Sequence, residues 1–515
     1  MCSPPTSHDG FAQPVLHLDQ LLARLPFDLR PTALGGDPAS TEVSGLTVDS
    51  RLVEPGSIFC CIEGGADDGH AHVDEALGRG AAVIVCEHPL AASGMPDGVV
   101  ELRVPQGRAR RAVAAIAVAL FDAPSRELSL VGVTGTNGKT TVTHLVRSIL
   151  TAHGWPAALV GTLGGARTTP EAPVLQKILA EARAAGRRAA VLEVSSHALD
   201  QHRVDGCHFA VVAFTNLSRD HLDYHGSMEA YFAAKRRLFT AEFADAAVVA
   251  VDDAWGRRLA AELAAGTSAP GIAGSTLSLT TVTRAQARDV EVTARSIALT
   301  WHGARAHVAM GGEMNVTNAL VAAATGAALG IPPDAVAQGL TAAPPVPGRF
   351  EVVVPGPPVT VVVDYAHTPA ALEATLTAAR HVAQGNVLTV FGCGGDRDKG
   401  KRPEMGRVAA HLSDIAVITS DNSRSEDPRV VVAEVRAGAS GGAADVVVEL
   451  DRAAAISLAV ERARPGDVVV VAGKGHETEL VGPEGSAPFD DRDVVRAAAR
   501  TLGWPTVEAR EGRAS

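Results

Sequence analysis

The sequence predicts an α/β protein of three domains: a small N-terminal α/β domain, a central parallel sheet of the P-loop mononucleotide-binding type, and a Rossmann-like C-terminal domain. Three observations predict it. A chain of 515 residues is too long for one ordinary core, and at about 150 residues per domain it divides into about three. Apolar strand-like runs alternate with helical periodicity over most of the length, the pattern of parallel sheets flanked by helices. The stretch "VGVTGTNGKTT" (131–141) joins an apolar strand to a helix through a glycine-rich loop that ends in lysine, the local order of a phosphate-binding turn.

The N-terminal domain, residues 1–125, is read from the short runs "SGLTVDS", "GSIFCCIEG" and "AAVIVCE" and from an Ala-rich helix over 109–121. The central domain, 126–345, follows from "LSLVGVTG", "AAVLEVSS", "FAVVAFTNLS" and "DAAVVAVDD", each succeeded by a helical pattern. A Pro-rich joint, "APPVPGRFE" (343–351), leads into the C-terminal domain, 346–515. There the strands "VTVVVDYAH", "NVLTVFGCGGD", "DIAVITSDNSR" and "DVVVVAGKGHE" each end abruptly in polar, Gly-rich or charged residues. In open parallel sheets ligands bind beyond the carboxyl ends of the strands, so these four tails should meet in one crevice. The Ala/Gly-rich patch "RAGASGGAAD" (436–445) reads as a surface loop.

With 46% hydrophobic and 20% charged residues the composition is that of a globular protein. The apolar runs fall short of the ~20 residues that span a bilayer, and the first residues do not have the pattern of a signal peptide. Six cysteines without C-x-x-C spacing suit a reducing compartment. A cytoplasmic, non-membrane protein is therefore expected, and a monomer. The net charge of −12 argues against a broad nucleic-acid footprint, so any anionic ligand must meet local positive charge.

In the loop itself, backbone N–H groups from Gly135 through Thr136 and Asn137 to Gly138 can cradle phosphate oxygens. Lys139 can reach the β- and γ-phosphates, and the Thr140 hydroxyl can ligate magnesium. A general phosphate loop would carry glycine at 133, where this chain has Val133; the competing reading is a Gly-rich turn with a surface lysine. Glu193, at a strand end beside two serines, and His221 are candidate magnesium ligands. Taken alone, Glu193 reads equally well as a helix-capping carboxylate and His221 as a packed or surface histidine.

The motifs "TGTNGKTT", "EVSSHALDQHR", "FTNLSRDHLDYHGSMEAYFAAKRRLF", "MNVTNAL", "PGRFE", "DYAHTP", "GCGGDRDKGKRPEMG" and "GKGHE" follow one another along nearly the whole chain. In this order they resemble the Mur ligases, which add amino acids to the peptide stem of bacterial cell-wall precursors. Within that family they are most similar to the members that extend UDP-N-acetylmuramoyl-L-alanyl-D-glutamate. The resemblance implies ATP as co-substrate, Mg2+ as cofactor, and an acyl phosphate on the D-glutamyl carboxylate that an incoming amine attacks. It implies that Thr141, Asn318, Arg349 and Asp364 join the loop in holding ATP. Ser195, Gln201 and Arg203, with Thr168 and Thr169 of "ARTTPE", would hold the acceptor, and Ser50 and the turn "GGADDGH" the uridine-nucleotide end. Lys235 would carry a carbamate that ligates a second magnesium, whereas the residues alone read "KRR" as a solvated face.

For the amine, the resemblance implies a diamino acid, meso-diaminopimelate, with L-lysine or L-ornithine as the alternative. Arg424 and Arg397 would meet its far carboxylate, and Asp421, Asn422, Gly473 and Glu477 the far ammonium and its surroundings. Ser423 stands where the diaminopimelate-adding members usually have proline. The plainer reading is a surface loop with an Arg424–Glu426 salt bridge. Three other functions share the phosphate loop: a small-metabolite kinase, an ATP-switched binding module, and a folylpolyglutamate synthetase or dipeptide-forming ligase. The tails "GGDRDKG", "DNSR" and "GKGHE" speak against the last pair.

Overall fold

The computed structural model describes residues 15–64, 67–90, 95–165, 167–266 and 277–507. Cys2, Gly65 and Ala66 of the "GGADDGH" turn, and Ala166 of "ARTTPE" lie outside the described residues. The first sheet has five strands in the order Thr32–Leu34, Val100–Arg103, Val83–Cys86, Ser57–Cys60, Gly45–Thr47, with only the first pair antiparallel. Ser57–Cys60 and Val83–Cys86 are buried at every residue, which is why they read as unbroken apolar runs instead of alternating ones. Helix Ala109–Leu120 meets helix Ala172–Ala184 of the central domain through Ala114, Ala117 and Ala172, with Leu46 packed against them. Their small side chains let the two domains approach closely. All five described cysteines are buried and free.

The central sheet has six parallel strands in the order Ser278–Val282, Ala244–Ala250, Phe209–Phe214, Ser129–Thr134, Ala189–Glu193, Ala157–Val160. Chain order reverses at Ser129–Thr134, so a crevice opens beyond its carboxyl end, where open α/β sheets bind ligands. Helices Lys139–Ala152 and Met314–Ala328 share a core with one face of this sheet. That core also includes a three-stranded antiparallel sheet, Arg288–Val292, Ile297–Trp301 and Ala304–Val308, which the expectation of alternating strand and helix misses. Its last strand alternates buried and exposed residues, the mark of a sheet covered on one side.

The C-terminal sheet runs Glu351–Pro355, Thr360–Asp364, Val468–Ala472, Val387–Phe391, Ile415–Ile418, Asp445–Val448, antiparallel only at its first pair. The patch 436–445 differs from the surface loop expected of it. It begins inside helix Pro428–Gly438, and a Cβ on Gly438 would strike the Pro403 carbonyl, so this glycine permits close packing against helix Lys401–Leu412. No helix among the described residues is long and apolar enough to cross a membrane.

An ion pair lies in the C-terminal core. Arg452 and Asp491 are fully buried and joined by two hydrogen bonds of 2.7 Å, and Arg452 also donates to the carbonyls of Ala472 (2.9 Å) and Ser420 (3.2 Å). The pair ties helices Arg452–Arg462 and Asp491–Thr501 to the strand ends that form the crevice. Asp491→Ala strands a buried cation and is expected to cost about 3–5 kcal/mol, whereas replacing both partners by apolar residues costs much less. Chemical denaturation followed by circular dichroism checks this; an unchanged midpoint for the single variant contradicts it.

Candidate active site

The phosphate loop leaves strand Ser129–Thr134 and enters helix Lys139–Ala152. Val133 is fully buried in the core of the sheet, so the turn starts at Gly135, two residues after the position where a general phosphate loop has its first glycine. Gly135 and Gly138 adopt positive φ, +150° and +88°. A side chain on the first would strike the Thr215 hydroxyl, and on the second the Asn318 amide oxygen. The cradle differs in detail from the one expected. The Thr136 N–H donates to the Asn216 carbonyl (2.9 Å) and the Asn137 N–H to the Asn216 side chain (3.0 Å). These two amides brace the loop, and the amides of the first helical turn, which lack intrahelical acceptors, are the donors left for phosphate.

Two ammonium groups converge on one carbonyl. Lys139 Nζ donates to the carbonyls of Gly135 (2.8 Å) and Thr136 (2.9 Å), and Lys235 Nζ donates to the same Gly135 carbonyl (2.9 Å). Lys235 is 1% exposed, on helix Met228–Arg236 with its ammonium 4.7 Å from the Tyr231 ring centre. This excludes the solvated-face reading. Burial and then the neighbouring charge of Lys139 push the Lys235 amine well below the usual lysine range; burial also lowers Lys139.

Beside them the Glu193 carboxylate, 1% exposed, accepts from the Thr140 hydroxyl (3.0 Å) and from the Thr162 N–H (2.9 Å) and hydroxyl (3.1 Å). Arg349 donates across the domain joint to Thr140 Oγ1 at 2.9 Å while its guanidinium lies 4.4 Å over the Tyr365 ring. His221 stands at φ +54° with Nε2 3.4 Å from Asp220 Oδ2, and Nε2 of His367 from the C-terminal domain lies 3.6 Å from the same oxygen. Burial pushes His221 down to about 3, so its imidazole is neutral at neutral pH and fit to ligate a cation. Burial opposes ionisation of Asp220, but His367, His221 and Lys401 overcome it and hold the carboxyl well below the usual range. Among the described residues, Asp68, His70 and His88 are the one trio of metal-capable side chains whose ligand atoms lie within 4.8 Å of one another. Asp68 there caps helix Gly69–His72 and takes the His70 ring at 2.6 Å. Glu193 and His221 form no such trio. Magnesium, however, takes one or two protein ligands together with phosphate and water oxygens, and the hydroxyl–carboxylate pair of Thr140 and Glu193 fits that donor set.

A cavity of about 420 Å³ adjoins the loop between the central and C-terminal domains. It is lined by Asn137, Gly138, Thr141, Asn318, Arg349 and Asp364, six of the residues expected at the nucleotide. Asp364 accepts from the Phe350 N–H (2.6 Å) and the Thr375 hydroxyl (3.0 Å), so it also fixes the joint on which Arg349 sits.

On the other side of Glu193, Thr169 donates to the Glu193 carbonyl (2.8 Å) and accepts from the Ser195 N–H (3.0 Å). Thr168 faces the Thr162 hydroxyl at 3.1 Å. Arg203 binds the Thr169 carbonyl (2.9 Å), the Gln201 amide oxygen (2.6 Å) and Glu171 (2.9 Å). These five residues, expected at the acceptor, therefore form one polar wall, in which Glu171 pairs with Arg203. Ser50 is separate. It donates to Glu75 at 2.6 Å in the N-terminal domain, on the segment that follows the strand bearing Leu46.

The tails of the C-terminal strands meet as expected of a parallel sheet. Asn422 donates to Glu477 (2.8 Å) and accepts from Lys474 (3.0 Å) and the Val481 N–H (3.0 Å), and Lys474 also reaches Glu477 at 2.9 Å. Asp421 is buried; a Cβ on Gly473 (φ +115°) would come within 2.6 Å of its carboxylate. Arg424, half-buried at φ +52°, donates to the carbonyls of Gly395 (2.6 Å) and Asn422 (3.4 Å). The Arg424–Glu426 salt bridge of the plainer reading does not form. Glu426 instead pairs with Arg402 (2.8 Å) and Lys399 (3.1 Å), and among the described residues no carboxylate pairs with Arg424. Ser423 is buried and its carbonyl accepts from the Glu426 N–H (3.0 Å), which closes the turn that proline would otherwise stiffen. Arg397 stays exposed and donates to the Asp396 carbonyl at 3.2 Å; its charge is felt by Arg424.

Sequence reasoning passes over Asn216, Tyr365, His367 and Lys474. Asn216 braces the loop, Tyr365 backs Arg349, His367 meets Asp220, and Lys474, fully buried, orients Asn422 and Glu477. The one available signal is that each sits in a strand tail.

Family comparisons agree with this arrangement along the chain. Residues 133–326 match the Mur ligase middle domain, 348–475 the Mur ligase, glutamate ligase domain, and 42–122 the Mur ligase family, catalytic domain. The chain is similar to UDP-N-acetylmuramoyl-L-alanyl-D-glutamate–2,6-diaminopimelate ligases from Synechococcus elongatus and Geobacter metallireducens. The first is 44% identical over 503 residues, covering 94% of this chain and 99% of the relative; the second is 41% identical over 507, covering 92% and 97%. A solved structure of a UDP-N-acetylmuramoyl-L-alanyl-D-glutamate–2,6-diaminopimelate ligase aligns at TM-score 0.61 and 30% identity over 93% of this chain and 99% of that one. With these matches running through all three sheets, the chain belongs to the Mur ligase family.

Proposed function

We propose that this protein is an ATP-dependent ligase of peptidoglycan precursor synthesis, joining meso-diaminopimelate to the D-glutamyl carboxylate of UDP-N-acetylmuramoyl-L-alanyl-D-glutamate. The observation that carries this reading is the juxtaposition at the domain joint. The phosphate loop, the buried Glu193 and the polar wall around Thr169 stand on one side and the crevice around Arg424 on the other, and Arg349 ties the joint by donating to Thr140 while it lies over the Tyr365 ring. A free carboxylate is a poor electrophile, and phosphorylation supplies a leaving group; the same machine must therefore hold nucleotide, acid and amine together.

Ser195, Gln201 and Arg203, with Thr168 and Thr169, orient the acceptor acid, and Ser50 on the N-terminal domain meets the uridine end. Lys139 and the first-turn amides face charge that develops on the transferring phosphoryl group, and Arg349 adds a cation from the opposite domain. Thr140, Glu193, His221 and carbamylated Lys235 are the residues that would hold magnesium, which when bound neutralises phosphate charge. The amine then attacks the acyl phosphate, phosphate leaves, and an amide remains. Asn422, Glu477 and the Asp421–Gly473 turn receive the distal ammonium, and Arg424 with Arg397 the distal carboxylate.

The test is a substrate screen with ATP, magnesium and the UDP-muramoyl dipeptide. Amide product with ADP and free phosphate, dependent on the amine, supports the ligase; phosphate left on the acid without amide would make it a kinase. Among the described residues Arg424 is a cation without an acidic partner, so diaminopimelate should exceed lysine and ornithine strongly in kcat/KM. Arg424→Ala should cut that preference by about tenfold or more, as loss of a charge-assisted bond of about 1.5–3 kcal/mol does. Equal use of lysine by the wild type would overturn the amine assignment and leave the ligase reading standing.

A further inference from the structure

Arg219 lies in none of the roles above, yet among the described residues it makes the shortest ion pair between the central and C-terminal domains. Its guanidinium engages Asp398 with Nε at 3.0 Å and Nη2 at 3.2 Å and reaches Glu404 with Nη1 at 3.2 Å. Asp398 is buried, and its carboxylate also accepts from the Gly400 N–H at 2.9 Å. A Cβ on Gly400 would strike the guanidinium, so the glycine is what lets Arg219 seat against the start of helix Lys401–Leu412.

The two ends of this contact are anchored at different parts of the reaction. Arg219 belongs to a segment laced to the phosphate loop: Thr215 and Asn216 donate to the Asn137 carbonyl (2.6 and 3.0 Å), and the Ser218 N–H donates to the Thr136 hydroxyl (3.0 Å). Asp398 belongs to the turn that carries Arg397, whose charge acts on Arg424. A second strand of contacts runs alongside, from Asp220 to His367 (3.6 Å) and from the His367 carbonyl to Lys401 (2.8 Å). A planar guanidinium held by two bonds to one carboxylate fixes orientation as well as distance.

We propose that Arg219 is a positioning residue that holds the 396–404 segment, and with it the distal-carboxylate end of the amine crevice, in register with the phosphate loop. The kinetic consequence rests on the ligase reading above; the structural one does not. The Arg219 side chain is not part of the cavity lining and spends its hydrogen bonds on Asp398 and Glu404, so its loss acts on the amine more than on the nucleotide.

The experiment compares wild type with Arg219→Ala, Arg219→Lys and Asp398→Asn. By hydrogen exchange, amides of 396–404 in Arg219→Ala should exchange at least tenfold faster while those of 139–152 stay as in wild type. In steady-state kinetics the KM for meso-diaminopimelate should rise at least tenfold, with the Kd for ADP within twofold of wild type. Arg219→Lys, which cannot make the two-bond contact, should fall between, and Arg219→Ala combined with Asp398→Asn should be no worse than the poorer single variant. Unchanged exchange in 396–404 overturns the proposal, as does a KM rise matched by an equal loss of ADP affinity, or additive effects in the double variant. A wild type that forms no amide with any amine overturns the ligase reading instead, and the exchange result still decides the role of Arg219.

Discussion

Lys139→Ala is expected to lower kcat/KM by about 10²–10³-fold or more, a loss of about 3 kcal/mol or greater in transition-state stabilisation, in a protein whose fold survives. The Lys139 ammonium is held by two loop carbonyls, Gly135 and Thr136, and burial makes its charge costly. Nearby cationic groups do not relieve that cost: Arg349 contacts Thr140, and Lys235 shares the Gly135 carbonyl. Desolvated cations around a glycine turn at a helix N-terminus form an anion site whose charge is compensated when phosphate arrives. Removing Lys139 should therefore weaken the charged transition state more than the ground state, so kcat should fall along with kcat/KM. Because the side chain makes only loop contacts, circular dichroism and the thermal midpoint should stay near wild type. Near-normal turnover in a folded variant would remove Lys139 from the phosphate site.

What the sequence makes legible here follows from periodicity and local order. Parallel strands buried on both faces appear as apolar runs, and their ends appear as abrupt polar tails, so "DYAH", "GCGGD", "SDNSR" and "GKGHE" can be assigned to one crevice before any coordinates. The turn at Gly135–Gly138 is equally legible, because strand, glycines, lysine and helix are contiguous. Contacts between distant segments are not. Arg219 and Asp398 are 179 positions apart, and nothing in "LSRDH" distinguishes a domain clamp from a solvated arginine. Asn216 looks like a loop asparagine until its side chain and carbonyl are seen taking two phosphate-loop amides. The antiparallel sheet at 288–308 carries alternating polar residues, so it blends into a surface-loop pattern. The burial of Lys235 is hidden for a related reason: in "AAKRRLF" the lysine stands beside two arginines, and only helix packing decides which of the three turns inward.

That inward turn makes Lys235→Ala the second large effect: activity should fall by at least about 10²-fold and be partly restored by millimolar acetate or formate. Carbon dioxide adds only to a neutral amine, and an ordinary lysine is almost wholly protonated at neutral pH. Here burial and the adjacent Lys139 charge lower the amine pKa, so the neutral form is available at lower pH than usual. The product also suits the site better than the reactant. An ammonium at Lys235 repels Lys139 across a shared carbonyl, whereas a carbamate there pairs with Lys139 and offers oxygen ligands toward the Thr140–Glu193 side of the loop. Bicarbonate should accordingly raise the activity of protein purified at low pH, where the amine is protonated and the carbamate lost, and mass spectrometry under non-denaturing, neutral conditions should find an added 44 Da, the mass of CO2, that Lys235→Ala lacks. Rescue by small carboxylates is the discriminating result, because they can return an anion and two oxygens to the space the side chain leaves. A variant that is fully active, or one that is inactive, folded and indifferent to carboxylates, would show that Lys235 acts as a buried structural cation and that the second cation site is built without it.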